Sequence, residues 1–124
     1  YFQKNQSKLI SLIHPTASIT HNVNIGIGSA IFANSVVSNN SKLGRCVIIN
    51  NLSTIDHDVN IFDFVHISPG VSIAGNVSIQ ELTWIGIGTT IINNIKIGKC
   101  SLIGAGSIIL SKIKPYSKIV GLHK

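Results

Sequence analysis

An aliphatic residue occupies every sixth position of this chain from Ile13 to Ile109, beginning Ile13, Ile19, Ile25, Ile31, Val37, Leu43 and ending Ile97, Ile103, Ile109 without a slip. A period of six matches neither the 3.6 of an α-helix nor the 2 of a lone alternating strand. Four residues after most of these aliphatics stands a small or β-branched residue, as at Ser29, Ser53, Val65, Val77, Thr89 and Ser107. That is the hexapeptide repeat of a parallel β-helix, in which three hexads close one triangular coil of about 18 residues. Residues one coil apart then stack about 4.8 Å apart, the strand spacing. The count predicts three internal ladders: Ile13, Ile31, Ile49, Ile67, Ile85, Ile103; Ile19, Val37, Ile55, Ile73, Ile91, Ile109; and Ile25, Leu43, Ile61, Ile79, Ile97. β-Branched side chains suit so narrow a prism because their restricted rotamers stack regularly. Gly and Asn gather between the aliphatics (Gly26, Gly28, Asn39, Asn40, Gly44, Asn50, Asn51, Gly75, Asn93, Asn94, Gly98, Gly104, Gly106), where a tight corner is expected to need positive φ. The expected organisation is an all-β chain: a lead-in over 1–11, the β-helix over 12–114 and a tail over 115–124.

The length of 124 residues fits one domain, and 44% apolar residues with few aromatics fit a thin core better than a bulky one. The chain has no methionine, and Tyr1-Phe2-Gln3 resembles the remnant of a protease-cleavage linker, so it is expected to be a fragment of a longer protein. Ten Lys and Arg against four acids give a net charge of +6, with Lys112, Lys114, Lys118 and Lys124 near the C-terminus. Aromatics do not interleave with these basic residues, which argues for a small phosphorylated ligand over nucleic acid. Apolar runs fall far short of the roughly 18 residues of a membrane span, and no secretory signal is visible, so a cytoplasmic protein is expected. Cys46 and Cys100 share a column three coils apart, about 14 Å by strand spacing. A disulfide needs Cα atoms within about 7 Å, so both thiols are expected to be free.

A prism of small regular coils has no internal cavity, so chemistry is expected on its outer faces or between subunits. Asp56-His57-Asp58 and Phe64-Val65-His66-Ile67-Ser68-Pro69-Gly70 break the monotony. His57 follows core Ile55 by two residues and is expected to point outward at a corner, in the column His21, Asn39, His57, Gly75, Asn93, Ser111. Gly75, one coil above, is expected to leave a notch through which a ligand reaches its backbone N–H. A histidine beside a bare amide fits a general base with an oxyanion donor, and Asp58 or Asp56 fits the carboxylate that sets its tautomer. The bland reading is a solvated corner histidine. His66 lies in the column Ala30, Ile48, His66, Trp84, Leu102, where its ring is expected to stack with Trp84 on a flat face of the kind subunits pack against. Zinc is not expected: the γ-type carbonic anhydrases hold it on this repeat with three histidines, but His57 and His66 are on different columns and form no closely spaced pair.

Leu12-Ile13-His14-Pro15-Thr16-Ala17, Asp56-His57-Asp58, Phe64 to Gly70, Ala74-Gly75-Asn76-Val77 and Val120-Gly121 together resemble the hexapeptide-repeat sugar acetyltransferases of the sialic acid O-acetyltransferase and bacillosamine-pathway N-acetyltransferase type. The resemblance runs from Leu12 onward and implies a left-handed coil, a homotrimer, and acetyl-CoA as co-substrate in a groove between subunits. It implies His57 as general base, Asp58 as its hydrogen-bond partner, His66 lining the same site and Gly75 giving an N–H near the thioester carbonyl. The pantetheine is expected beside Gly75, Gly86 and Gly104 and the phosphates at Lys112 and Lys114. The expected acceptor is an amine or hydroxyl of a sugar or nucleotide-linked amino sugar. Two departures stand out. The family's N-terminal nucleotide-sugar domain has no counterpart in these residues, and Gly121 is followed by Leu122-His123-Lys124 where Gly-Asn-Pro-Ala-Lys is usual. A serine acetyltransferase-like acyltransferase and a non-catalytic β-helix trimer are the competing readings.

Overall fold

The computed structural model describes residues 8–124, which form short strands joined by tight corners. Each strand is two residues long, and nearly all end on the aliphatic of the hexad. The first face stacks Leu12–Ile13, Ala30–Ile31, Ile48–Ile49, His66–Ile67, Trp84–Ile85, Leu102–Ile103 and Lys118–Ile119. The second stacks Ser18–Ile19, Val36–Val37, Thr54–Ile55, Ser72–Ile73, Thr90–Ile91, Ile108–Ile109 and Leu122–His123. The third stacks Asn24–Ile25, Lys42–Leu43, Asn60–Ile61, Ser78–Ile79 and Lys96–Ile97. All pairing is parallel, and the register Ile49↔Ile67↔Ile85 repeats the expected ladders residue by residue. Among the described residues no helix is long and apolar enough to cross a membrane.

The period of six explains the core directly. Alternation along each strand turns the aliphatic inward and its predecessor outward, and Ile49, Ile55, Ile67, Ile79 and Ile85 are all 0% exposed. The small residue four positions on is also interior, and where it is Ser or Thr its hydroxyl needs a partner. Ser41 illustrates the solution: Oγ donates to the Asp56 carbonyl at 2.8 Å and accepts the Val59 N–H at 3.2 Å. Ser41→Ala, which leaves that buried N–H and carbonyl unpaired, is expected to cost about 1–3 kcal/mol. A fall in the urea midpoint at unchanged m-value would show it.

The corners correct one expectation. Positive φ falls on the third residue after the aliphatic, at Asn22, Gly28, Asn40, Asp58, Asn76, Asn94 and Gly106 but equally at Cys46, Leu52, Phe64, Leu82 and Cys100. Gly26, Asn39, Gly44, Asn50, Asn51, Gly75, Asn93, Gly98 and Gly104 are not among these residues. The coil geometry imposes the left-handed conformation at one place per corner whatever the side chain, at about 1–2 kcal/mol for a non-glycine residue. Gly26 serves close approach instead, since a Cβ there would collide with the Gly44 carbonyl of the next coil.

Residues 115–124, expected as a tail, continue the stack. Lys118–Ile119 pairs with Leu102–Ile103, and Leu122–His123 with Ile108–Ile109. Ile113 stacks on Ile97 and Ile119 on Ile103, each two residues sooner than the regular spacing. This shortening of the last coil hides it from a strict six-residue count.

Candidate active site

His57 and Asp58 occupy the corner between the second and third faces. The left-handed conformation there falls on Asp58, with φ of 58°, a conformation Asp and Asn tolerate better than most side chains. The Asp58 carboxylate thereby meets its neighbour: His57 Nδ1–H donates to Asp58 Oδ2 at 2.8 Å. That bond fixes the tautomer and leaves the Nε2 lone pair free in the neutral ring. Asp56 bonds elsewhere, its Oδ1 accepting the His57 backbone N–H at 2.8 Å. Of the two candidate carboxylates, then, Asp58 orients the imidazole and Asp56 acts on it through charge. The Asp58 hydrogen bond, then the charge of Asp56, raise the His57 pKa above its ordinary value.

Gly75 lies over this ring for a different reason from the notch expected. A Cβ at Gly75 would stand 2.6 Å from His57 Cε1 and 2.7 Å from Nε2, so the imidazole itself occupies the space a side chain would fill. Gly75 is the bed of the ring. Its carbonyl accepts the Asn94 N–H at 3.1 Å, while its own N–H donates to no backbone carbonyl of the described residues. The imidazole and the Gly75 amide therefore lie within one corner of two successive coils.

His66 projects from the first face and stacks with Trp84 as expected, at 5.3 Å between ring centroids and 5° between planes. Trp84 Nε1 donates to Ser68 Oγ at 2.8 Å, which fixes the indole. His66 Nε2 is buried without a hydrogen-bond partner, and burial lowers the pKa of the ring. A groove of about 420 Å³ runs here past Asn50, His66, Trp84, Gly86, Leu102 and Gly104. Three of the expected site residues thus share one surface: His66, Gly86 and Gly104. Gly86 also has a packing reason, because a Cβ would lie 2.6 Å from the Ala105 amide nitrogen of the next coil.

The second–third corner and the first face are opposite sides of a triangular prism, so one chain does not bring His57 and His66 together. Lys112 and Lys114 sit apart from both, in a groove of about 460 Å³ with Lys96 and Lys99. Two further grooves flank the His57 corner. One, about 470 Å³, runs along the second face past Thr54, Asp56, Ser72, Ala74, Thr90 and Asn93. The other, about 590 Å³, lies toward the third face and is lined by Asn40, Lys42, Asp58, Asn60 and Asn76. The count along the chain missed both, although the run of outward Thr54, Ser72 and Thr90, each 18 residues on, was the available signal. Among the described residues no group of three or more His, Cys, Asp or Glu gathers as a metal ligand set would. The two cysteines are free.

No protein-family model matches the chain. Solved structures do. The acetyltransferase domain of PglB from Neisseria gonorrhoeae is 37% identical with a TM-score of 0.93, over 96% of this chain and 58% of that one, and is also known in complex with acetyl coenzyme A. A histidine-to-alanine variant of GDP-perosamine N-acetyltransferase from Caulobacter crescentus, in complex with CoA and GDP-perosamine, is 27% identical with a TM-score of 0.92 over 96% of this chain and 57% of that one. WeeI from Acinetobacter baumannii is 26% identical with a TM-score of 0.93 over 97% of this chain and 59% of that one. The chain thus spans less than two thirds of the length of these structures.

Proposed function

We propose, on the premise that this chain belongs to the hexapeptide-repeat sugar acetyltransferases as their β-helix portion, that it transfers the acetyl group of acetyl-CoA to the amine of a nucleotide-linked amino sugar. The observation that carries the reading is the corner in which His57, oriented by Asp58, lies on Gly75 with Nε2 unprotonated in its neutral form. The amine attacks the thioester carbonyl and gives its proton to His57 Nε2. The Gly75 N–H stabilises the oxyanion of the tetrahedral intermediate, which collapses to the amide and expels the CoA thiolate. No acyl-enzyme is required. An amine is preferred to a hydroxyl because the Caulobacter neighbour with a nucleotide sugar bound is an N-acetyltransferase.

The chain acts as a homotrimer. His57 of one chain and His66 on the first face of the next complete a site that a single prism leaves divided. Outward Trp84 and Leu102, 52% and 42% exposed, are the surfaces such packing covers. Light scattering is expected to give three chains, and mixing His57→Ala with His66→Ala chains to recover part of the activity that each lacks alone. A monomer with full activity would refute the shared site.

The pantetheine lies along Gly86 and Gly104, with the CoA phosphates at Lys112 and Lys114. Calorimetry with acetyl-CoA tests this reading. A dissociation constant between micromolar and millimolar, roughly −8 to −4 kcal/mol, is expected. It should weaken steeply with salt and with Lys112→Ala and Lys114→Ala combined. Absence of binding by an intact trimer would leave the non-catalytic reading.

A further inference from the structure

His66 stands in the outward column of the first face, with Ile48 one coil below and Trp84 one coil above. Its Nε2 is, among the described residues, the one buried side-chain nitrogen or oxygen without a hydrogen-bond partner. No bond through that nitrogen fixes the plane of the ring, and Nδ1 is left as the nitrogen a ligand can meet. A side chain that has to meet a substrate in one geometry needs its rotamer held by something else.

Trp84 supplies that constraint. The indole and the imidazole lie 5.3 Å apart between centroids, with their planes within 5° of parallel, the spacing of a stacked pair. The parallel register places the two residues one above the other, but it does not set the angle of either ring, which is a matter of rotamers. The angle comes from Trp84 Nε1, which donates to Ser68 Oγ at 2.8 Å. Ser68 follows His66 by two residues on the coil below and is 4% exposed, so its hydroxyl is a fixed point. An indole has one N–H to give, and giving it to Ser68 lays the ring flat over His66. A tryptophan placed only to be covered by a neighbouring subunit needs no such bond back into its own chain.

We infer that Trp84 is a positioning residue for His66: pinned by Ser68, it lies over the imidazole and holds it in one plane, with Nδ1 as the nitrogen that meets the substrates. The inference rests on the reading in which His66 completes the site, and it adds what holds that ring. Burial keeps the His66 pKa below its ordinary value, and no charged side chain lines the groove beside it to oppose that effect. The ring therefore enters the site neutral at pH 7.

The test compares Trp84→Leu, which removes the stack, with Ser68→Ala, which frees the indole and removes no apolar surface. With acetyl-CoA and GDP-perosamine, kcat/KM is expected to fall about tenfold in Trp84→Leu and about threefold in Ser68→Ala, less than the roughly 10²-fold cost of a full 1 Å displacement. In a His66→Ala background neither substitution should cost anything further. Should Trp84→Leu fail to fold, Ser68→Ala decides alone. Trp84 is the single tryptophan of the chain, so its emission reports on the stack directly. A stacked imidazole quenches an indole more strongly once protonated, so emission is expected to fall on acidification with a midpoint below the ordinary value of about 6.5. Ser68→Ala should move that midpoint upward, as water reaches Nε2. Full kcat/KM in Ser68→Ala, a midpoint that stays in place, or a further loss in the His66→Ala background overturns the inference. Unchanged kcat/KM in His66→Ala itself instead removes the reading on which it rests.

Discussion

His57→Ala is expected to lower kcat by about 10²- to 10⁴-fold, the range over which a general base contributes, with acetyl-CoA affinity and fold unchanged. The side chain is more than half exposed and contributes nothing to the core. On the proposed mechanism the same side chain sets the pH dependence. His57 must be neutral to accept a proton, so activity rises with pH through its pKa, and the Asp58 hydrogen bond and the Asp56 charge hold that pKa above the ordinary value of about 6.5. Asp58→Asn removes the largest of these influences. Its rising limb should move to lower pH, while the plateau falls because the ring is no longer held in its tautomer. A pH profile of kcat/KM separates the two effects: a limb that stays fixed in Asp58→Asn would assign the titration to another group.

Gly75→Ala should cost nearly as much without touching a reacting group. The added Cβ lies 2.6 to 2.7 Å from the imidazole, closer than atoms pack. The ring is the mobile end of a side chain and swings away at little cost in stability, since Gly75 does not have positive φ. Displacing a base by about 1 Å typically costs about 10²-fold. Because the damage acts through His57, the double variant His57→Ala with Gly75→Ala should be no slower than His57→Ala alone. Additive losses would mean that Gly75 acts independently, through its N–H.

The core was legible residue by residue, because a solenoid repeats one environment and Ile49, Ile67 and Ile85 follow from counting. The count also placed His57 beneath Gly75 and His66 beneath Trp84. It narrowed the partner of His57 to Asp56 or Asp58, but the choice needed the left-handed conformation at Asp58, and composition does not mark that position when Leu52 and Phe64 share it. That the imidazole itself fills the space over Gly75 was not legible for a related reason. A column shows which residues are neighbours, whereas which way the imidazole folds is a rotamer. The end of the stack was missed because Ile113 and Ile119 break the register by two residues. That His57 and His66 face opposite ways depends on which of three faces each column occupies, and the strand order supplies that assignment where the spacing did not.

The central claim is tested most directly by following release of the CoA thiol from acetyl-CoA in the presence of GDP-perosamine, the nucleotide sugar bound in the Caulobacter neighbour, with the protein and its His57→Ala variant side by side. Thiol release matched by N-acetylated sugar, and abolished in the variant although it still binds acetyl-CoA, is the predicted result. Transfer at the same rate without His57 would contradict it.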